Sequence, residues 1–140
     1  MFFRNNQSYG YLIDTNVLIP YLSRYFDNSE LDQYLTQGVY VNELIIGETL
    51  NFIQNKYSAR HSIASQKQIM DNPEIFEFLE ITNEVRLLAW QVRQKYADNK
   101  LSYVDSMILA QAKLNNLTIL TQDKAMIASG FTQVFNPLEK

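Results

Sequence analysis

The stretch that decides the fold is Tyr9-Gly10-Tyr11-Leu12-Ile13, which runs directly into Asp14. Near the other end of the chain, Leu117-Thr118-Ile119-Leu120-Thr121-Gln122 runs in the same way into Asp123. Each stretch contains a short apolar run of strand type with an acid at its carboxyl end. In an open parallel sheet, ligands bind at the edge where the strands end and the helices begin. The two stretches therefore predict two carboxylates on one edge of a sheet.

Between these stretches, predicted strands and helices alternate, which indicates an α/β fold with a mainly parallel central sheet. The predicted strands cover residues 9–13, 39–41, 76–81, 117–120 and 131–135. The predicted helices cover residues 15–26, 30–36, 42–56, 59–70, 82–96, 103–115 and 124–129. Asn42 and Ser102 are expected to cap two of these helices, and Pro20 is expected to shorten or kink the first. No repeat or linker divides the sequence, so residues 1–140 are interpreted as one domain.

Composition narrows the chemistry available to the chain. Hydrophobic residues make up 46% and charged residues 19% of its 140 residues, as in folded globular proteins. The sequence has no cysteine, which excludes disulfides, a thiol nucleophile and thiolate metal sites, and its one histidine, His61, argues against zinc sites and Ser-His-Asp triads. A net charge of -3 differs from that of a bulk nucleic-acid binder, although acids around metal ions would mask local basic residues. No apolar run is long enough to cross a membrane and no signal peptide is recognised, so the expected location is cytoplasmic.

Three of the acids have a simple structural explanation. Asp14 and Asp123 each precede a predicted helix, and Asp105 lies three residues after Ser102 in the spacing of a capping box. Helix capping alone would account for each of these acids.

Glu48 is harder to explain as a cap, because it lies in the middle of a predicted helix. Residues four apart share a helix face, so Glu48 is expected in one row with Leu44 and Phe52, pointing toward the interior or its edge. Asp105 shares a face with apolar residues in the same way, namely with Ile108, Leu109 and Ala112. A carboxylate on an apolar face needs a partner, because a buried unpaired charge is costly. No lysine or arginine lies in either row, whereas a hard divalent cation such as Mg²⁺ or Mn²⁺ would satisfy the acids and would suit phosphodiester hydrolysis.

Four segments resemble, in order, the four acidic motifs of PIN domains. They are Leu12-Ile13-Asp14-Thr15-Asn16-Val17-Leu18, Ile45-Ile46-Gly47-Glu48-Thr49-Leu50-Asn51, Leu101-Ser102-Tyr103-Val104-Asp105-Ser106-Met107-Ile108 and Thr118-Ile119-Leu120-Thr121-Gln122-Asp123. The resemblance covers nearly the whole chain, whose size is similar to that of VapC-type toxins of VapBC toxin–antitoxin pairs. It implies a three-layer α/β/α fold and a metal-dependent ribonuclease.

The resemblance also implies roles for individual residues. Asp14 would be the central metal ligand, Asp105 and Asp123 would complete one or two ion sites, and Glu48 would ligate or orient the attacking water. Three polar residues match positions that support such sites: Thr15, Asn16 and Thr121. The Thr121 hydroxyl would hold an acid or a water, although an ordinary strand-end threonine explains it equally well.

Glu43 and Asp98 are the other acids considered for the site, and Gln122 departs from the family pattern. Glu48 is preferred to Glu43 because of its helical facing and the match of residues 47–51, and Asp98 is interpreted as a solvated loop acid. Gln122 occupies a position where PIN domains often carry an aromatic residue, which changes nothing in the expected chemistry.

The resemblance implies an RNA substrate, a homodimer and a small antitoxin whose arginine reaches the acidic pocket. RNA would need basic residues around the acids, and the candidates are Arg24, Arg60, Lys67, Lys95 and Lys100. Tyr103 is a candidate for stacking a base, with core packing as the alternative. An antitoxin is expected to use an apolar surface of the first helices, formed by Leu18, Ile19, Tyr21, Leu22, Tyr25 and Phe26, unless these residues belong to the core.

Other functions remain open at this point. A housekeeping RNA-processing PIN nuclease and a non-catalytic PIN-fold binding scaffold are the alternatives within the family, although all four acids are present. A phosphatase of the haloacid dehalogenase type is disfavoured because Asp14-Thr15-Asn16 lacks a second acid, and a receiver domain would need paired acids early in the chain.

Overall fold

The computed structural model describes residues 10–23 and 29–139. Its described strands form one five-stranded sheet in the order β3-β2-β1-β4-β5, and every neighbouring pair is parallel. The strands are β1 (Tyr11–Ile13), β2 (Val39–Val41), β3 (Phe76–Phe78), β4 (Thr118–Leu120) and β5 (Val134–Phe135). The predicted α/β class is confirmed. Because β1 and β4 are neighbours at the centre, the acids that follow them come to the same edge of the sheet.

Helices connect and cover these strands. They are α1 (Thr15–Ser23), α2 (Ser29–Leu35), α3 (Glu43–Lys56), α4 (Ala59–Met70), α5 (Asn83–Lys95), α6 (Tyr103–Leu114) and α7 (Lys124–Ser129), with a 3-10 turn at Ala97–Asn99. Most bounds agree with prediction to within two residues. Tyr9 and residues 24–28, including the predicted end of the first helix, lie outside the described residues. Pro20 lies inside α1, which continues to Ser23.

The core lies on both faces of the sheet. Leu12 and Ile13 of β1 and Ile119 and Leu120 of β4 have no exposed surface. Strands buried on both sides need helices on both sides, as in the expected three-layer α/β/α arrangement. A second, smaller cluster lies where α5 packs on α6, and its members are Ile81, Val85, Ala89, Met107 and Ala110.

Strand β3 ends three residues earlier than predicted. The carbonyls of Leu79 and Glu80 accept hydrogen bonds from the Gln111 Nε2 amide at 3.4 and 3.1 Å, where continued sheet pairing was expected. The same side chain accepts a 2.7 Å bond from Asn42 Nδ2, and Asn42 Oδ1 accepts one from the Ile45 N–H. This buried amide pair fixes the start of α3 and directs the chain from β3 into α5.

The expected apolar partner surface on the first helices is largely interior. Leu18, Tyr21 and Leu22 are buried in the main core, and only Ile19 of the described candidates is half-buried. Tyr25 and Phe26 lie outside the described residues. The α1 side chains therefore serve mainly to attach α1 to the sheet.

None of the helices in the described ranges has the length and apolar content needed to span a bilayer.

Candidate acidic site at the carboxyl edge of the sheet

Asp14 follows β1 directly and is the most buried acid at this edge, with 5% of its surface exposed. Its Oδ1 accepts a 2.7 Å hydrogen bond from the Thr15 N–H, and its Oδ2 accepts a 2.7 Å bond from the Thr121 hydroxyl. Burial raises the pKa of Asp14 to about 6, the charges of Asp105 and Asp123 add to the rise, and the two hydrogen bonds oppose it. The fold therefore holds Asp14 where its charged form is unfavourable, because the side chain is buried and two other carboxylates act on it.

Thr121 joins the ends of β1 and β4. It is fully buried, and its hydroxyl oxygen accepts a 3.0 Å bond from the Asp123 N–H while donating to Asp14. Asn16 is held to the same strand end, since its Oδ1 accepts a 2.9 Å bond from the Gln122 N–H. The Gln122 side chain closes this contact by donating from Nε2 to the Asn16 carbonyl at 2.6 Å. The first turn of α1 is thus tied to the end of β4 beside the acids.

Asp105 combines a capping role with a place in the acidic cluster. Its Oδ2 accepts a 3.2 Å bond from the Ser102 N–H, while the Ser102 hydroxyl accepts one from the Asp105 N–H at 3.0 Å, which completes the expected capping box. Burial and the charge of Asp123 raise the pKa of Asp105, while the hydrogen bonds with Ser102 lower it. Capping therefore explains the position of this acid but leaves its unfavourable charge environment unexplained.

Asp123 caps α7, as its position before the helix predicted. Its Oδ1 accepts bonds from the N–H groups of Ala125 and Met126 at 2.8 and 3.2 Å. Its charge acts on both Asp14 and Asp105. The three aspartates consequently form one mutually repelling group at the ends of β1 and β4 and the start of α6.

Glu48 lies at this edge, but the expected inward orientation is wrong. The buried residues of α3 are Ile45, Thr49 and Ile53, whereas Glu48 is exposed. Its Oε1 accepts a 3.4 Å hydrogen bond from the Thr15 hydroxyl. Since Thr15 also donates its N–H to Asp14, Glu48 stands on the solvent side of the same site. The row of Leu44, Glu48 and Phe52 is a half-exposed flank of α3 because the helix turns a polar residue, Thr49, into the core.

The other two acids considered lie elsewhere. Glu43 is exposed and lines a separate surface depression together with Phe78, Glu80 and Arg86. Asp98 is an exposed residue of the 3-10 turn between α5 and α6. The helical position of Glu48, rather than that of Glu43, places an acid beside Thr15.

The described cations that the sequence offers as RNA contacts are exposed, and none of them is paired with an acid of this edge. The one ion pair within residues 10–23 and 29–139 joins Lys67 to Asp71 at 4.0 Å, away from the acidic edge. Lys95 and Lys100 are exposed near the start of α6, and Arg60 is exposed on α4; Arg24 lies outside the described residues. Tyr103 is 47% exposed, so it is a surface residue and the core-packing alternative is wrong.

Oxygen atoms make up the whole donor set of this edge: carboxylates of aspartate and glutamate, threonine hydroxyls and the Asn16 carbonyl. Hard divalent cations select such donors. Within the described ranges, no three acidic or histidine side chains are grouped tightly enough to hold an ion between them. Mg²⁺ commonly takes one or two carboxylates and completes its shell with waters and phosphate oxygens. The donor set therefore fits such an ion, with fewer than three carboxylates in direct contact.

Several solved structures of similar shape are described as toxins or as toxin–antitoxin complexes. VapC20 of Mycobacterium tuberculosis, described as a toxin that cleaves the sarcin-ricin loop, is 16% identical, with 91% of this chain and 100% of that one covered at a TM-score of 0.75. A toxin–antitoxin complex from Klebsiella pneumoniae is 25% identical, with 94% and 100% covered and a TM-score of 0.70. DNA-bound VapBC from Salmonella typhimurium is 14% identical, with 91% and 98% covered and a TM-score of 0.76.

Sequence comparison gives the family. No curated protein matches this sequence significantly. The family model of the PIN domain, however, matches residues 11–130, which include all the acids described above. The resemblance to PIN domains is confirmed, and this chain belongs to the PIN-domain family.

Proposed function

We propose that this protein is a Mg²⁺- or Mn²⁺-dependent endoribonuclease of the VapC type, the toxin of a toxin–antitoxin pair that acts in the cytoplasm. The observation that carries the proposal is Asp14, a carboxylate that is 5% exposed and lies beside Asp105 and Asp123, whose charges raise its pKa further. Within the described residues no lysine or arginine forms an ion pair with it. A divalent cation would relieve this repulsion.

The three aspartates would have different roles in binding the ion. Asp14 would be the central ligand, because the Thr15 N–H and the Thr121 hydroxyl fix both of its oxygens in place. Asp105 and Asp123 would complete one or two ion sites directly or through water, each using the oxygen that its helix cap leaves free. The bound ion would activate a water and neutralise charge on the phosphate.

Glu48 has a different place in the proposed chemistry. It is exposed, and its Oε1 accepts a hydrogen bond from Thr15. This carboxylate would meet a water that approaches from solvent and would orient it toward the RNA phosphate, receiving the proton of the water at an oxygen of Glu48. An exposed carboxylate suits that role better than direct ligation inside the cluster.

Toxin status, an antitoxin and a homodimer belong to the same proposal. The neighbours from Klebsiella and Salmonella are described as a toxin–antitoxin complex and as VapBC, which supports an antitoxin for this chain. An arginine of such a partner would pair bidentately with the crowded carboxylates. The arginine would thereby take the place of the cation and inhibit RNA cleavage.

Cleavage of single-stranded RNA by the purified protein tests the enzymatic proposal. We expect cutting with Mn²⁺, none with EDTA, and none by Asp14→Asn, while Asp98→Asn, which alters an exposed acid in the same way, cuts normally. Equal cutting by Asp14→Asn and the wild type would refute the site. No cutting by a folded wild-type protein with Mn²⁺ would favour a binding scaffold.

Expression of the chain alone tests the toxin proposal. Growth should slow with the wild type and stay normal with Asp14→Asn, and co-expression of the neighbouring small reading frame should restore it. Harmless expression of an active nuclease would instead indicate a housekeeping RNA-processing role.

A further inference from the structure

We propose that Arg93 and Tyr103 form a subsite for the RNA nucleotide next to the one that is cut, with a base stacked on the Tyr103 ring and a phosphate paired with Arg93. The subsite presupposes the proposed ribonuclease function and specifies how its substrate is held. It consists of one aromatic and one cationic side chain at the junction of α5 and α6.

Tyr103 is the first residue of α6, and its side chain is 47% exposed. Ser106 and Met107, which lie three and four residues later on the same helix face, are buried. The burial of this face therefore stops before Tyr103. A large aromatic ring left in solvent at the end of a helix is a suitable platform for a nucleic-acid base, since every base has a face that stacks on it.

The position of Tyr103 relative to Asp105 assigns it to a neighbouring nucleotide. The two residues belong to the first turn of α6, about 3 Å apart along the helix axis, but about 160° apart around it, on nearly opposite sides. Tyr103 therefore cannot meet the phosphate that lies against Asp105. It can meet a base on the adjacent nucleotide as the strand passes over the end of α6.

Arg93 supplies a charge for the backbone of that strand. It lies exposed in the last turn of α5, and its Cζ atom lies over one face of the Tyr103 ring, 6.0 Å from the centroid, so the base would stack on the other face. Within residues 10–23 and 29–139 no carboxylate lies at ion-pair distance from Arg93. An arginine beside an aromatic ring keeps its N–H groups available for bidentate contact with a phosphate.

Two further cations make this end of the helix pair favourable for RNA. Lys95, the last residue of α5, and Lys100, in the segment that joins α5 to α6, are both exposed. Together with Arg93 they give residues 93–100 three exposed cations against one exposed acid, Asp98. A polyanion that would be repelled by the three aspartates is thus attracted to the flank on which Tyr103 lies.

Binding of a labelled single-stranded RNA of about ten nucleotides, measured by fluorescence anisotropy in EDTA so that the RNA stays intact, tests the subsite. We expect Tyr103→Leu to weaken binding at least about fivefold, the lower limit for one stacked base, and Tyr103→Phe to retain it. Arg93→Ala should weaken binding and lower the slope of log K against log salt by about 0.7, the value for one phosphate contact on a single strand.

Lys113→Ala is the matched control. Lys113 also lies over an aromatic ring, with its Nζ 5.7 Å from the centroid of Phe131, but it is ten residues from Tyr103, about 15 Å along α6. Its loss should leave affinity and salt slope unchanged.

The outcomes separate the subsite from the proposed function. If the wild type cuts RNA with Mn²⁺ but Tyr103→Leu and Arg93→Ala bind as it does, or if Lys113→Ala weakens binding equally, the subsite is wrong and the ribonuclease stands. Failure of the wild type to bind in EDTA while it cuts with Mn²⁺ also overturns the subsite. Failure to bind and to cut overturns both.

Discussion

The hydroxyl of Thr121 donates a 2.7 Å hydrogen bond to Oδ2 of Asp14, across 107 positions of sequence. This contact joins the ends of the two central strands and holds the most buried acid among the described residues. Because the same hydroxyl accepts a bond from the Asp123 N–H, one threonine sets the relative position of two acids.

Thr121→Val should impair RNA cleavage by removing the donor to Asp14. Hydrogen bonds to charged groups contribute about 1.5–3 kcal/mol, so we expect a loss of about tenfold or more. The Thr121 bond lowers the pKa of Asp14, so its removal should also move the acid limb of the pH–rate profile to higher pH. Thr121→Ser, which keeps the hydroxyl, should restore both. A change in rate with no shift of the acid limb would show that Thr121 acts only through stability.

Thr49→Val should stabilise the fold, whereas Thr121→Val should destabilise it. Thr49 and Thr121 are both fully buried, but the Thr49 hydroxyl oxygen has no hydrogen-bond partner among the described residues. Replacing an unsatisfied buried hydroxyl by a methyl group of the same shape should stabilise the fold by about 1 kcal/mol. Urea unfolding of the two valine variants makes the comparison, since Thr121→Val should destabilise. Equal destabilisation by both would mean that Thr49 has a partner in solution.

Glu48→Gln should reduce cleavage by about a hundredfold, the lower range for a positioned proton acceptor. Glu43→Gln is the matched control, because Glu43 belongs to the same helix and is exposed but lies in another depression. Glu43→Gln should cleave RNA at the rate of the wild type. Both variants should unfold at the same temperature as the wild type. A larger loss in Glu43→Gln would reverse the assignment of the helical acid.

Asp14→Asn should change the pH dependence of stability in the absence of divalent ions. The pKa of Asp14 is about 6 in the fold against 3.8 for an ordinary aspartate, so the folded state binds more protons between these values. The wild type should therefore lose stability as pH rises from about 4 to 6, by at most roughly 3 kcal/mol, and stay constant above. Asparagine has no charge to bury and avoids this loss.

The free energies of unfolding of the wild type and Asp14→Asn, compared at pH 5 and at pH 8, measure this effect. The free energy of unfolding of the variant, relative to that of the wild type, should be higher at pH 8 than at pH 5. A difference that is the same at both pH values would contradict a raised pKa for Asp14.

Local signals in the sequence predicted the helix starts well. Asn42 and Ser102 both cap their helices by accepting a bond from the N–H three residues later, as expected. Such contacts depend on neighbouring residues only, so a short sequence window contains all the information they need. The order of strands and helices follows from equally local hydrophobic patterns.

Long-range contacts explain what the sequence did not predict. The positions of Leu44 and Phe52 predict that Glu48 points inward, but Thr49 is buried in the core instead. A buried threonine cannot be recognised in a pattern of polar and apolar residues. Gln111 gave no signal within an apolar helix, although its amide ends β3 by bonding to Leu79 and Glu80. The role of Thr121 likewise depends on Asp14, at the other end of the chain.

The central claim, a divalent cation held by the aspartates, is tested most directly by the anomalous diffraction of a crystal soaked in Mn²⁺. We predict an anomalous peak in contact with Asp14 and with Asp105 or Asp123, and no peak there in Asp14→Asn crystals grown and soaked in the same way. A wild-type crystal that shows no manganese at these carboxylates, from protein that cuts RNA in the same solution, would contradict the account.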